Sequence, residues 1–406
     1  MDHMPTPAMD SRTRSNVTRL AIAQALAGAN AAVIFATGAI IGATLAPNPA
    51  WATVPVSVFV VGMALGTLPT GVIARRRGRR AAFMAGGTCG ALAGLIGAVA
   101  LWIGSFELYC VATLCAGLYA SVVQSFRFAA ADGVEAAVRP RALSWVMAGG
   151  VFAGVIGPQL VTYTMDLTPG RMFAASYLAQ ACVAVVAMLV LSGVRLPSPP
   201  ASAARGRPLG DIVRQRSFIV AALCGVVSYT LMNLVMTSAP LAMKLCGLPI
   251  TSSNTALQWH VVAMYGPSFF TGALITRFGA SRVVTAGLLL LTAAAVTGLF
   301  GITVSHFMLG LILLGLGWNF GFVGASAMVL ECHRPEERTR VQSFNDFLIF
   351  GTMAVGSFSS GQLLQVWGWA AVNWVVFPPV LLAAGVLLFS GRLRLQTPVL
   401  QASAGD

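Results

Sequence analysis

GVIARRRGRR, residues Gly71–Arg80, closes one long apolar run, and GALITRFGASR, residues Gly272–Arg282, closes another. Their leading glycines lie 201 positions apart, half the length of the 406-residue chain. A second pair of polar segments, VRPRALS (138–144) and HRPEERTRVQS (333–343), echoes the first at a similar offset. The chain thus reads as two related halves, each punctuated by arginine-rich loops.

Between those loops the sequence is apolar from end to end. Hydrophobic residues make up 57% and charged residues 9% of the chain, against about 25% charged in soluble domains. Runs of some twenty apolar residues recur, each long enough to cross a bilayer core of ~30 Å. Twelve spans are expected near 19–45, 53–74, 81–104, 107–129, 142–165, 172–194, 217–242, 254–276, 283–304, 306–330, 342–366 and 370–391. The first has no small-residue cleavage pattern behind a short apolar core, so it reads as a retained helix and not a signal peptide. The fold class is an all-α polytopic membrane protein.

The longest polar connection, RLPSPPASAARGRPLGDIVRQR (195–216), has the Pro, Ser, Ala and Arg content of a flexible linker and divides the spans six and six. The expected organisation is a tail over 1–18, a six-helix bundle over 19–194, the linker, a second bundle over 217–391 and a tail over 392–406. With both termini in the cytoplasm, 23 of the 25 Lys and Arg residues fall in cytoplasmic segments, leaving Arg171 and Lys244 outside. That asymmetry is what sets topology in short loops. The net charge of +13 then belongs to loops facing anionic headgroups, with no basic, aromatic-interleaved surface for nucleic acid. The seven cysteines form neither a CxxC pair nor a secreted framework.

Two six-helix halves joined by a polar linker resemble the major facilitator superfamily, and the likeness covers nearly the whole chain. That family's loop motif reads Gly-x-x-x-Asp-Arg-x-Gly-Arg-Arg or Lys. Gly71, Arg76, Gly78, Arg79 and Arg80 match it, while Arg75 stands where the family has Asp; the second copy keeps Gly272, Arg277, Gly279 and Arg282. With the motif carboxylate missing, the arginines are expected to snorkel to the headgroups, with Asp346 near the start of span 11 as the alternative, a charge-reversed partner. In span 5, GGVFAGVIGPQL sets small residues at 149, 150, 154 and 157 ahead of Pro158, a pattern for close helix packing and a bend. The resemblance implies alternating access to a site between the halves at the bacterial inner membrane.

What is carried must be read from polar or soft residues inside the spans. Acids there are confined to the boundaries, at Glu107, Glu331 and Asp346, and Arg127 lies near the inner end of span 4, within snorkelling reach. His260 is the one histidine well inside a span, in QWHVVAMYGP (258–267). It shares a helix face with Met264 at i, i+4, as Met232 and Met236 share one on span 7. At 1.5 Å per residue, Met236 and His260 both lie ~9 Å, and Met232 and Met264 both ~15 Å, below the outer boundary. Each methionine singly is ordinary core; all four residues level on a hairpin by chance has odds of about a few per cent. Three thioethers and an imidazole are a soft, uncharged ligand set that selects Cu(I).

These two pairs resemble those of the CcoA-type copper importers, whose proposed metal motifs match at all four positions. The resemblance implies import of copper for cbb-type cytochrome oxidase assembly, with copper as cargo, no prosthetic group, and periplasmic donors and cytoplasmic acceptors as partners. Cys224 on the span 7 stripe and Cys246 in the outer loop are candidate accessory metal or redox positions. Two rival readings remain open: a proton-coupled carrier of an organic solute, such as a drug or siderophore, with His260 as proton switch and the methionines as adaptable walls; and a non-transporting copper receptor or assembly scaffold. No nucleophile–base pair, phosphate loop or acid pair points to an enzyme.

Overall fold

The computed structural model describes residues 10–48, 51, 54–132, 134–196 and 206–396. Every regular element among them is helical, as expected where no water can satisfy backbone polar groups. The first half comprises α1 (Ser11–Leu45), α2 (Val54–Arg77), α3 (Arg79–Ile103), α4 (Phe106–Gln124), its short continuation α5 (Phe126–Ala129), α6 (Arg139–Thr164) and α7 (Ala174–Ser192). A short linker helix, α8 (Leu209–Val213), leads to the second half. There α9 (Arg216–Leu245), α10 (Ile250–Tyr265), α11 (Ser268–Phe278), α12 (Ala280–Phe300) and α13 (Val304–Trp318) precede a π-helical turn at Asn319–Val323. The chain ends in α14 (Gly324–Leu330), α15 (Arg338–Trp374) and α16 (Phe377–Gln396).

Ten helices among the described residues are long and apolar enough to cross a membrane. The remaining passes are α10–α11, divided at Gly266–Pro267, and the polar, kinked α15. Together they give the expected twelve. Boundaries shift where the sequence is ambiguous: α1 already begins at Ser11, capped by Asp10, whose side chain accepts from the Thr13 N–H at 2.9 Å. Eight residues assigned to a tail are therefore helix. The core of the expected linker (197–205), the end of the carboxyl-terminal tail (397–406) and the segment holding His3 lie outside the described residues.

The repeated loop has a conformational cause. Gly78 between α2 and α3 has φ 85°, ψ 161°, and Gly279 between α11 and α12 has φ 85°, ψ 148°. Only glycine adopts that region without strain. Each half uses it to turn one helix tightly into the next at the arginine-rich end of the bundle.

The halves meet along two seams, α2 against α15 and α6 against α10–α11. Gly71 faces Ser343 of α15, and Gly272 faces the backbone of Pro140 and Arg141, where a Cβ would stand 2.6 Å from the Pro140 carbonyl oxygen. The motif's leading glycines are thus points of close approach between the halves. The small residues of α6 serve two faces. Gly149 and Gly157 admit α1, while Gly150 and Gly154 admit Tyr265 and Val261 of α10. Packing accounts for the stretch.

Candidate functional site

A central cavity of about 160 Å³ lies between the halves. Its lining is uncharged: Phe35, Phe59, Tyr229 and Tyr265 supply rings, and Gln24, Gln124 and Asn233 supply amides. Five methionines, Met63, Met232, Met236, Met264 and Met353, complete the apolar wall.

The rings are held by their neighbours. Tyr229 on α9 packs edge-on against Trp318, Phe322 and Phe350 at centroid distances of 5.5, 4.9 and 5.3 Å, and Tyr265 meets Trp318 at 5.4 Å. Gln124 Nε2 donates to the Tyr229 hydroxyl at 3.2 Å across the halves. The Asn233 amide nitrogen is buried with no hydrogen-bond partner among the described residues. An unsatisfied buried donor is costly, and one that lines a cavity is placed to receive an acceptor on a solute.

The wall at α10 depends on a broken helix. Pro267 lacks an N–H and divides α10 from α11, so carbonyls in the last turn of α10 lose helical donors. Asn319, in the π-helical turn, makes good the loss: its Nδ2 donates to the Met264 carbonyl and to Ser268 Oγ, each at 2.6 Å. Thr271 Oγ1 donates to Asn319 Oδ1 at 2.6 Å. A discontinuous helix and a π-bulge therefore meet beside Met264 and Tyr265, an arrangement common at transport and functional sites.

Toward the arginine-rich end, beyond Gln124 of the cavity wall, lie two clusters of ion pairs. Arg127 of α5 is fully buried and its Nη2 lies 2.5 Å from Asp346 Oδ1 on α15. Its Nε donates to Ser326 Oγ at 3.2 Å, another group donates to the Gln124 carbonyl, and the guanidinium lies over the rings of Phe128 and Phe322 at 4.3 and 4.6 Å. A second cluster lies nearer the surface. Arg79 pairs with Asp132 and donates to Gln342 Oε1 at 2.6 Å, while Arg338 Nη1 stands 3.8 Å from Asp132. Arg79, Asp132 and Arg127 belong to one half; Gln342, Arg338 and Asp346 belong to the other.

Four sequence expectations change here. Met232, Met236 and Met264 do converge on one cavity, but His260 is turned away from it. Its ring is buried against α13, with Nδ1 2.7 Å from the Leu311 carbonyl oxygen, and it does not line the cavity. Cys224 is buried in the packed core and Cys246 is half-buried against it at the end of α9, neither facing the methionines. No group of three or more His, Cys, Asp or Glu among the described residues is placed to hold a metal. Asp346 does not pair with the loop motif; it takes Arg127, and Asp132 supplies the carboxylate for Arg79. Arg75, Arg76, Arg80, Arg277 and Arg282 are exposed, so only Arg79 of the motif enters the network. Arg127, read as snorkelling, is instead the most buried charge in the molecule's centre. Its signal was present in the sequence, since it follows Gln124 by one helical turn among apolar residues.

Comparisons with known proteins bear on the cargo. The chain is 48% identical over 373 residues to the riboflavin transporter RfnT of Brucella anthropi, covering 91% of this chain and 94% of that one. It is 29% identical over 365 residues to the uncharacterised MFS-type transporter YdeG of Bacillus subtilis, covering 85% and 84%. Among solved structures it superposes on the proton:xylose symporter XylE with a TM-score of 0.78 at 12% identity, over 94% and 96% of the two chains. The likeness to a riboflavin transporter overturns copper import, and with it the copper cargo, the copper donors and acceptors and the role in cytochrome oxidase assembly. The physical reason lies in the site: without His260 the remaining thioethers form a wall, not a ligand shell. The Major Facilitator Superfamily model matches residues 20–266 and 221–404; the chain belongs to that superfamily, and is a multi-pass membrane transporter rather than an enzyme.

Proposed function

We propose that the protein carries riboflavin, or a flat, uncharged heteroaromatic solute of that kind, across the bacterial inner membrane by alternating access. The near-full-length likeness to a riboflavin transporter carries this reading, and the chemistry of the cavity supports it. An isoalloxazine presents a wide apolar face and an imide edge with both donors and acceptors. Phe35, Phe59, Tyr229 and Tyr265 suit the face, and Gln24, Gln124 and Asn233 suit the edge. Methionine side chains adapt their shape to an aromatic surface and favour sulfur–ring contact.

The two bundles, 19–194 and 217–391, are the rocking units in this reading, joined by the linker over 195–216. Twelve passes put both termini on one side, and the arginine asymmetry makes that side cytoplasmic. A cavity of about 160 Å³ falls below the ~300–1,000 Å³ of sites for drug-sized ligands. The halves therefore part to admit the solute. The ion pairs Arg127–Asp346 and Arg79–Asp132, with Gln342, hold the cytoplasmic end shut meanwhile.

Uptake of radiolabelled riboflavin into proteoliposomes containing only this protein tests the proposal. Accumulation above protein-free vesicles, competed by unlabelled riboflavin, is expected. Uptake no greater than in empty vesicles would sink it.

A further inference from the structure

We propose that a groove on the outside of the bundle, between α1, α6 and α11, binds an anionic phospholipid from the leaflet at the arginine-rich end. The groove has a volume of about 850 Å³ and is separate from the central cavity. Its shape follows from the close packing of α1 on α6. Gly149 lies against Ala21, Gly28 against Ala153 and Gly157 against Ala29 and Ala32, so the two helices run side by side in the same direction. In that register Arg14 of α1 is level with Arg141 of α6. Both line the mouth of the groove, and neither belongs to an ion pair among the described residues.

From the mouth inward the wall is apolar, formed by Ile22, Leu26, Phe152 and, from the other half, Phe269. Ile22, Phe152 and Phe269 are 46%, 56% and 46% exposed, with no protein covering them. The distance along α1 from Arg14 to Leu26 is ~18 Å at 1.5 Å per residue. That is close to one leaflet of a ~30 Å hydrocarbon core. An occupant must therefore carry negative charge at the membrane surface and an apolar tail one leaflet long, lying parallel to the helices. Charge complementarity and length together specify a phospholipid with an anionic headgroup: two free guanidinium forks match a phosphate, and basic pockets between transmembrane helices take such headgroups. Because Phe269 belongs to the second half and α1 and α6 to the first, the bound lipid spans the seam whose closure the transport cycle changes.

Native mass spectrometry of the full chain in mild detergent, with equimolar dioleoylphosphatidylglycerol and dioleoylphosphatidylcholine, tests this directly. Phosphatidylglycerol adducts should predominate about tenfold. The preference should fall to parity in R14A/R141A, persist in R14K/R141K, and be untouched by R77A, whose arginine is exposed outside the groove. Excess inorganic phosphate should not displace the lipid, since the tail supplies much of the binding. Equal retention of the two lipids by the wild-type protein would overturn the proposal, even if R14A/R141A failed to fold. So would a phosphatidylglycerol preference that survives R14A/R141A, or displacement of the lipid by phosphate.

Discussion

Arg127 and Asp346, 219 residues apart in sequence, form an ion pair across the two halves, with side chains 0% and 5% exposed. The same arginine donates to the Gln124 carbonyl, and the Gln124 side chain donates to the hydroxyl of Tyr229 in the cavity wall. One chain of contacts therefore runs from the closed end of the bundle to the solute site. A displaced Tyr229 bears on the latch, and an opened latch bears on Tyr229.

Breaking that pair from one side leaves a buried charge uncompensated, at a cost of about 3–5 kcal/mol. Asp346→Asn is expected to lower thermal stability in detergent and to abolish riboflavin uptake. The double variant Arg127→Met, Asp346→Leu removes both charges and should regain most of the stability without regaining uptake. Normal transport by the double variant would show that the pair is structural and not a latch.

Asn233 and Gln124 offer the cavity's amide groups on α9 and α4. Replacing either by Leu removes a hydrogen-bonding group facing the solute, a loss of about 1–3 kcal/mol. The half-saturation concentration for riboflavin should rise roughly ten- to a hundredfold. The two variants should differ in rate. Asn233→Leu leaves the ion pairs intact, whereas Gln124→Leu also cuts the link to Tyr229 and should slow turnover. Concentration-dependent uptake separates the two effects, and unchanged saturation in both variants would remove the amides from the site.

Met232→Leu, Met236→Leu conserves volume and apolarity, a change that usually costs less than about 1.5 kcal/mol. Riboflavin uptake should stay within about twofold of the wild type, and cellular copper measured by elemental analysis should not change. A fall in copper with intact flavin uptake would contradict the reading of these side chains as a wall.

Glu337 starts α15 and clasps the linker. Its carboxylate accepts from Arg207 Nε at 2.8 Å, Arg207 Nη2 at 2.7 Å and the backbone N–H groups of Arg207 and Arg334, each at 2.9 Å. Hydrogen bonding to the Arg207 side chain, followed by the backbone donors, pulls its pKa from 4.5 to about 2. The folded-state value is depressed, so the carboxylate's contribution is full above about pH 4.5 and is lost as pH falls toward 2. A melting series in detergent from pH 6 downward should show stability dropping below about pH 4.5, with a smaller drop in Glu337→Gln. Parallel acid profiles for the two proteins would exclude the clasp as the cause.

The fold was largely legible because bilayer physics leaves few choices. Apolar runs of the right length, an arginine-rich loop repeated at half the chain and a polar linker in the middle suffice for twelve passes in two halves. The motif glycines recur in both halves, and the structure supplies the reason: Gly78 and Gly279 sit where the backbone takes φ near 85°. The lining of the site was only half legible. Level depths on an antiparallel hairpin set Met232, Met236 and Met264 together, and all three line the cavity. The i, i+4 rule then misled for His260, because residues so spaced differ by about 40° around the helix. That angle is enough to point the ring at the Leu311 carbonyl on a neighbouring helix.

Sequence by itself determined what each segment must do in a membrane: span it, turn at its surface, or join the halves. Hydropathy and charge act along the chain, and each run meets the bilayer whatever its neighbours are. Tertiary structure decided which side chains face one another between the halves. It paired Arg127 with Asp346, gave Arg79 to Asp132, and set three amides and four rings around the methionines. Those outcomes depend on the rotation of each helix and on the breaks at Gly266–Pro267 and Asn319–Val323. A few tens of degrees there separate a soft metal shell from the uncharged, ring-lined cavity that is found.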